Sequence, residues 1–266
     1  MAVILTLFIA LCSVGLALGS IRLMNAPPDM PLAVLVFFST IVIYTLDRLR
    51  PSIEDATNPG PRLAAYLAQR KSVQVLLVVG IMGLVASVFF QRFEVLLALV
   101  PLGVLSLWYT VPVGVFRLKD IPYLKTFIVA GVWTVVTAWL PIWRPETTIG
   151  VQFAIHLFTR FLFMSAITLP FDYRDRERDH AAGIKTLPQR LGTTGTKALS
   201  MALLALFVVL HGVYHSQEIF MASALTAAGT ALVIAGMSPQ RGDIYYSVGV
   251  DGTMMLQYAL LMILTH

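Results

Sequence analysis

The sequence predicts an all-α, polytopic membrane protein whose single domain occupies residues 1–266. Hydrophobic residues make up 58% of the chain and charged residues only 12%, and the mean hydropathy is +0.80. A soluble domain carries about a quarter of its residues as charged side chains, so this composition excludes a water-soluble enzyme and a domain that binds nucleic acid. A disordered chain is excluded as well, because such chains are poor in apolar residues.

Nine apolar runs supply the predicted transmembrane helices, each close to the length of about 20 residues that a spanning helix needs. They are continuously apolar, which favours helices over alternating strands. The first run has no basic residue ahead of it, so it is predicted to be a span rather than a signal peptide. The last run is the weakest, because Asp251 and Gln257 interrupt it. The runs lie near 2–19, 31–48, 73–90, 94–115, 124–142, 151–170, 198–215, 219–237 and 245–264.

Basic residues are distributed unequally between the two sides of this arrangement. If the N-terminus is cytoplasmic, 15 of the 19 Lys and Arg residues fall in cytoplasmic segments and three in outer segments, while Arg160 lies inside the sixth run. Cytoplasmic loops are enriched in Lys and Arg, so we expect a cytoplasmic N-terminus and an outer C-terminus; in a bacterium the membrane would be the inner one. Arg160 either faces the bundle interior or reaches the outer interface, and the sequence leaves both open.

Two long polar loops, 49–72 and 171–197, directly follow the second and the sixth runs. Acidic residues open both: Asp47, Glu54 and Asp55 in the first, and Asp172, Asp175, Glu177 and Asp179 in the second. This shared architecture indicates a weak internal repeat. Pseudo-symmetric halves of membrane proteins often hold a site between them, so the two acidic ends are predicted to meet.

The second acidic end has a spacing that suits a metal site. Asp172, Asp175 and Asp179 fall on one face of a helix that continues from the sixth run. Asp175 and Asp179 then lie about 6 Å apart along the axis, where two carboxylates repel each other unless a cation lies between them. Such oxygen ligands suit Mg²⁺, which usually also binds phosphate oxygens. The alternative is a solvated helix end paired with Arg176 and Arg178, and spacing alone slightly favours this alternative.

The segment from Asp172 to Gly192, DYRDRERDHAAGIKTLPQRLG, resembles the second aspartate motif of the UbiA-type intramembrane prenyltransferases. Its place after the sixth of nine runs also resembles that family. A tyrosine, a proline and a basic residue follow the fourth run, as in family members, at Tyr109, Pro112 and Lys119. On these motifs the chain is identified as a member of the family.

The resemblance implies a bundle of nine transmembrane helices around a central cavity with a polar mouth on the cytoplasmic side. It implies Mg²⁺-dependent transfer of an isoprenyl group from a prenyl diphosphate, through an allylic cation, to an aromatic, quinone-precursor or lipid-like acceptor. The isoprenoid tail would lie in the apolar cavity, partly open to membrane lipid. Two alternatives stay open: an intramembrane terpene cyclase of the same superfamily, and a non-catalytic descendant that binds isoprenoid lipid.

Residue roles follow from the resemblance by position. The expected metal ligands are Asp175 and Asp179 in the core of the second motif, Asp172 in its extension, and Asp47 in the middle of the first. The expected catalytic residues are Asp47, Asp175, Asp179 and Lys119, and the expected substrate-binding residues are Arg48, Tyr109, Lys185 and Asp55. For the two lysines the alternative is snorkelling to the membrane interface, and for the tyrosine it is an aromatic belt.

The first motif departs from the family pattern. Tyr44 stands where the family usually has an acid, and Pro51 stands at another acidic position, so only Asp47 matches. Because a proline disfavours regular helix at and before its own position, Glu54 or Asp55 is expected to fold back toward Asp47 rather than stack above it. The number of metal ions is therefore left open.

Overall fold

The computed structural model describes residues 1–49, 69–110, 117–144, 147 and 149–265, apart from the side chains of Arg48 and Thr110. This part of the chain is built from helices and contains no strand. Nine helices match the nine predicted runs in order. Eight of them are long and apolar enough to cross a membrane, and the fourth has a shorter apolar stretch, Phe93–Tyr109. The predicted all-α, polytopic fold is confirmed.

The spanning helices are α1 (Ala2–Leu23), α2 (Met30–Leu49), α3 (Arg70–Val88), α4 (Phe93–Thr110), α5 (Lys125–Ile142), α6 (Val151–Arg174), α7 (Leu187–Tyr214), α8 (Gln217–Ala235) and α9 (Tyr245–Leu264). Two short helices lie between them. A 3₁₀ helix, Leu118–Asp120, precedes α5, and the helix Arg176–Ala181 follows α6.

Helix α7 begins well before the apolar run that predicted it. The Gln189 side chain accepts a hydrogen bond from the Thr186 N–H (3.2 Å), and Pro188 occupies the first turn, where a missing N–H does no harm. The backbone then bends at Gly192, where φ is 64° and ψ is −169°. The polar loop predicted over 171–197 is therefore largely helical.

Six helices, α1, α5, α6, α7, α8 and α9, pack side by side as a closed ring, and α2 and α3 are added outside α1. Helix α6 is the most buried of the eight long spans. In the main core its Phe163 meets Phe207 of α7, and its Phe171 meets Tyr246 of α9, with ring centroids 5.5 and 6.0 Å apart. By contrast, α3 exposes large apolar side chains, such as Met82 on its flank and Phe89 at its end. An exposed apolar surface of this extent suits contact with lipid rather than water.

Arg160 lies inside the bundle. Its side chain donates hydrogen bonds to Gln257 Oε1 (2.7 Å), Ser20 Oγ (3.1 Å) and the Leu16 carbonyl oxygen (3.2 Å), and the residue is only 3% exposed. Gln257, which interrupts the ninth apolar run, is thus a partner of a buried guanidinium. Of the two alternatives that the sequence left open for Arg160, the structure selects the interior.

Two of the spans contain π-helical turns. In α5 they cover Val135–Trp139, and in α9 they cover Tyr245–Val250. Such turns are rare overall and frequent at functional sites. The turns in α9 end at Asp251, the acid that interrupts the ninth apolar run.

Candidate active site

A cavity of about 290 Å³ lies where α2 and α6 end and α5 begins. Its charged lining is Asp47, Lys119, Lys125, Asp172, Arg174, Asp175, Arg178, Asp179 and Asp251. Its apolar lining includes Ile9, Ile43, Val132, Trp133, Met164, Ile167 and Met254. The two acidic ends thus meet at one cavity, as the internal repeat predicts. A ligand with a charged head and an apolar tail matches this division.

Lys125 is the cation that joins two of the acids. Its Nζ lies 3.1 Å from Asp172 Oδ1 and 2.6 Å from Asp179 Oδ2. The other oxygen of Asp172 accepts a hydrogen bond from the Thr126 hydroxyl. As the first residue of α5, Lys125 adds positive charge to the positive end of the helix dipole, which is unfavourable by itself. The two carboxylates offset this, and both are almost fully buried, at 2% and 3% exposure.

Asp175 has different partners. Arg174 forms a two-pronged ion pair with it, Nε to Oδ1 at 2.9 Å and Nη2 to Oδ2 at 3.0 Å, and Arg178 adds a contact of 3.2 Å. Helix α6 ends at Arg174, and Asp175 (φ −87°, ψ 2°) joins it to the short helix. The prediction of three acids on one continuous helical face is therefore wrong. The break turns Asp175 toward arginines, while Asp172 and Asp179 converge on Lys125.

Electrostatics at Asp179 favour an additional cation. Burial raises the pKa of this carboxyl above its usual range, and Asp175 and Asp172 add to the effect, while Lys125 opposes it. The ion pair with Lys125 therefore does not fully compensate for removal from water. A further positive charge near this carboxylate would stabilise its ionised form.

Tyr109 connects the two acidic ends. Its phenol, at the end of α4, interacts electrostatically with Lys125, Asp172, Asp47 and Asp179. Asp47 lies in the last turn of α2 and also lines the cavity. The structure therefore brings the predicted residues Asp47 and Tyr109 to the second motif.

Tyr44 lines the cavity one turn before Asp47. Its ring meets Trp133 of α5 edge to face, with centroids 6.4 Å apart. The position that usually carries an acid in the family thus contributes an aromatic wall here.

Lys119 also lines the cavity, on the 3₁₀ helix before α5. That helix is held by an ion pair between Arg117 Nη2 and Asp120 Oδ1 at 2.8 Å. Burial would raise the pKa of Asp120, but hydrogen bonds from Arg117 outweigh it and leave the pKa below its usual range. A carboxylate that stays ionised keeps this short helix, and so Lys119, in place.

Among the predicted substrate-binding residues, Tyr109 lines the cavity, whereas Lys185 does not. Lys185 is exposed on the connection before α7, and its carbonyl oxygen accepts a hydrogen bond from the Tyr123 N–H at 2.9 Å. Asp55 and the side chain of Arg48 lie outside the described residues.

Four charged residues of the lining were not predicted as site residues: Lys125, Arg174, Arg178 and Asp251. Lys125 and Arg174 entered the sequence analysis only as positive charges on the cytoplasmic side. Arg178 entered it also as an ion-pair partner in the alternative reading of the motif, and the structure contains its pair with Asp175. The sequence did give a reason to suspect Asp251. An acid inside an apolar run is costly in the membrane, and such residues usually mark functional sites. No local pattern could have linked it to the two acidic ends.

The oxygen-rich lining suits Mg²⁺, although not as a closed protein cage. Among the described residues, no three His, Cys, Asp or Glu side chains are grouped so as to hold a metal ion. Mg²⁺ usually keeps several waters and takes one or two carboxylates together with substrate phosphate oxygens. Asp47, Asp175 and Asp179 fit that mode of binding. Asp172 fits it poorly, because Lys125 and Thr126 engage both of its oxygens and its side chain is only 4% exposed. The oxygens of Asp175 are also engaged, by Arg174 and Arg178, but its side chain is 17% exposed.

Comparison with known sequences identifies one family. The sequence model of the UbiA prenyltransferase family matches residues 55–243, which is more than half of the chain. The matched region contains the second acidic end and begins beyond Asp47, after the divergent first motif. A search of the curated proteins finds no match.

Solved structures share the fold along nearly the whole chain. A UbiA homolog from Archaeoglobus fulgidus bound to GPP and Mg²⁺ has a TM-score of 0.65 at 16% identity, covering 99% of this chain and 96% of that one. An apo UbiA homolog from Aeropyrum pernix K1 has a TM-score of 0.62 at 19% identity, with coverages of 98% and 95%. A digeranylgeranylglyceryl phosphate synthase gives 0.55 at 14% identity, with coverages of 99% and 98%. At these identities the likeness establishes the fold.

Proposed function

Because the chain belongs to the UbiA prenyltransferase family, we propose that it transfers an isoprenyl group from a prenyl diphosphate to an acceptor inside the membrane. The observation that carries this proposal is the divided cavity, charged in one part and apolar in the other. A prenyl diphosphate has the same division, since its head carries the negative charge and its tail is hydrocarbon.

The diphosphate head is assigned to the four cations of the lining. Lys125 and Lys119 reach the cavity from the start of α5 and the short helix before it, and Arg174 and Arg178 come from the second motif. Basic side chains form strong, charge-assisted hydrogen bonds with phosphate oxygens. Fixed cations also stabilise a leaving group where its negative charge develops, which favours cleavage of the allylic carbon–oxygen bond.

Mg²⁺ is assigned to Asp47 on one side of the cavity and to Asp175 and Asp179 on the other. When bound there, Mg²⁺ would neutralise charge on the departing diphosphate. Asp172 is assigned a different role from the metal ligand that the motif predicts. Together with Asp179 it holds the ammonium group of Lys125, so it positions a cation.

The isoprenoid tail is assigned to the apolar walls. Ile43 and Val132 flank the aromatic pair of Tyr44 and Trp133 in this part of the lining. Aromatic rings attract a nearby cation through their π faces, so this pair would favour an allylic cation formed beside it. The same walls would shield that cation from water until the acceptor attacks.

Tyr44 also supports a second candidate, a terpene cyclase of the same superfamily. In a cyclase the cation is attacked by a double bond of its own chain, and no acceptor is needed. An aromatic wall where the family usually has an acid suits such a reaction, because it adds π density and removes a polar group from the cavity.

Purified protein incubated with Mg²⁺ and either GPP or DMAPP, the donors named in the Archaeoglobus fulgidus structures, separates these functions. Diphosphate release that requires an added phenol or lipid alcohol supports transfer. Release accompanied by a cyclic hydrocarbon, without an acceptor, supports the cyclase. A protein that neither binds nor consumes either donor in Mg²⁺ would contradict both.

A further inference from the structure

Asp251 is a further acid of the cavity, separate in sequence from the two acidic ends. It lies within α9 and is 9% exposed, and it lines the cavity together with Ile9 and Met254. Asp243, eight residues earlier, pairs with Arg174 at 3.4 Å and so marks the level of the second motif. Asp251 follows Asp243 by more than one helical turn, beyond the π-helical turns Tyr245–Val250, so it lies deeper in the bundle than the second motif.

The helix backbone is irregular at Asp251. The π-helical turns of α9 end here, with the Asp251 N–H bonded to the Tyr246 carbonyl oxygen at 3.2 Å. The residue precedes the regular helix Gly252–Leu264, yet its side chain makes no capping hydrogen bond to that helix. Its carboxylate interacts electrostatically with Arg174 of α6 and Cys12 of α1. A carboxylate placed this way inside a membrane bundle is a functional group by default.

On the basis of the function proposed above, we infer that Asp251 binds the acceptor and receives its proton. A carboxylate accepts hydrogen bonds and repels anions, so the acceptor group that reaches this depth is a neutral hydroxyl. A carboxylated or phosphorylated group would be repelled here and attracted to the cations of the second motif. The acceptor class is therefore a neutral hydroxyl compound, either a phenol or a lipid alcohol.

The corresponding step is balanced without a further reactant. The bond between C1 of the prenyl group and the diphosphate oxygen breaks, and its electron pair leaves with the diphosphate. A lone pair of the acceptor hydroxyl forms the new bond to C1. The hydroxyl proton passes to the carboxylate of Asp251, which acts as the general base.

The test uses two matched pairs of probes on the full chain loaded with Mg²⁺ and GPP. The phenol pair is 4-methylphenol and 4-hydroxybenzoate, and the alcohol pair is 1-hexanol and 6-hydroxyhexanoate. Each pair shares its hydroxyl and differs in one negative charge. Wild-type protein should bind the neutral member of at least one pair about tenfold more tightly, a difference of about 1.4 kcal/mol. The pair that shows the preference identifies the source of the hydroxyl.

The variant Asp251→Asn keeps the side-chain size and removes the charge. It should abolish the preference for the neutral probe and lower kcat for prenyl transfer to it by about 10² or more, with GPP binding unchanged. Glu218→Gln, which removes an exposed carboxylate at the start of α8, should retain both the preference for the neutral probe and the wild-type kcat. A wild-type protein that binds neither neutral probe or prefers an anionic one, or an Asn variant that keeps the preference and the rate, would overturn the inference. If the wild-type protein does not bind GPP in Mg²⁺, that result would instead count against the proposed function itself.

Discussion

Lys125 shows how a single side chain organises the second acidic end. Its side chain lies between Asp172 and Asp179 and is 13% exposed, and both carboxylates lie within 3.1 Å of its ammonium group. A buried ion pair contributes little net stability against an apolar replacement, but removal of one partner leaves an uncompensated charge. The stability of this triad of Lys125, Asp172 and Asp179 should therefore fall when one member is replaced, and fall less when a lysine and a carboxylate are replaced together.

Replacement of Lys125 by Met should lower the free energy of unfolding by about 3 kcal/mol, because Asp172 and Asp179 then lose their shared cation. Thermal unfolding in detergent measures the effect, with Lys185→Met as the matched control. Lys185 is exposed, and its replacement should change stability by less than about 0.5 kcal/mol. The double variant Lys125→Met/Asp172→Asn should recover part of the loss. Equal unfolding temperatures for the two single variants would contradict the triad.

Asp179→Asn should weaken Mg²⁺-dependent binding of GPP by about tenfold or more, since changes even beyond the direct ligands of a metal reduce its affinity by about 10–100-fold. Glu177→Gln is the matched control, because Glu177 belongs to the same motif and helix but its side chain is 86% exposed. Calorimetric titration of GPP in Mg²⁺ and in EDTA separates the metal contribution. Comparable losses in both variants would show that the net charge of the motif matters, and not its ligands.

The sequence predicted the acids of this site better than their partners. Asp172, Asp175 and Asp179 form a local motif, so spacing and resemblance find them. Lys125 is 54 residues away from Asp179, and only helix packing brings the two together. Lys185 was predicted as a substrate-binding residue because it lies within the motif, although the structure leaves it exposed.

At the scale of helices, irregular geometry distinguishes the elements that meet at the cavity. Helix α6 breaks at Asp175, α7 bends at Gly192, and π-helical turns occur in α5 and α9. The apolar runs predicted where these helices lie but not these features, since hydrophobicity does not report backbone hydrogen bonding. The early start of α7 was missed for the same reason: Pro188 and Gln189 begin a polar turn that hydropathy assigns to a loop.

Gly192→Ala should destabilise the protein by about 1–3 kcal/mol, because the backbone region near φ 64° and ψ −169° is open essentially to glycine alone. A methyl group there meets no atom within 4 Å, so the effect would come from the backbone. Gly131→Ala is the matched control: it also has open space around the new methyl group but lies in regular helix. Thermal unfolding should show Gly131→Ala neutral or slightly stabilised. If both variants unfold alike, the bend at Gly192 is not strained.

At the scale of the whole molecule, the chain is an integral, multi-pass membrane protein of the UbiA family. Its composition and nine apolar runs were sufficient to predict the fold, because the bilayer allows few solutions for an apolar chain of this length. The cavity depends on how those helices pack, so its lining could be anticipated only at the two acidic ends. The sequence could not predict that Asp251 lines the same cavity as the two acidic ends.

Orientation in the membrane is a separate prediction. The excess of Lys and Arg on one side places the charged end of the cavity in the cytoplasm and the C-terminus outside. A reporter enzyme that works only in the outer compartment should therefore be active when it is fused after residue 266. A reporter that works only in the cytoplasm should be inactive in the same fusion. A fusion that is active only in the cytoplasm would reverse the orientation and leave the fold unaffected.

The central claim is that two acidic ends hold one prenyl diphosphate through Mg²⁺ at a single cavity. Its most direct test is the affinity of the full chain for GPP, measured with and without Mg²⁺, in Asp47→Asn and in Asp175→Asn. Each variant keeps side-chain size and removes one charge from one side of the cavity. We expect Mg²⁺ to tighten GPP binding in the wild-type protein and each variant alone to lose most of that gain. If Asp47→Asn binds GPP as the wild type does while Asp175→Asn does not, the site is one-sided and the claim is wrong.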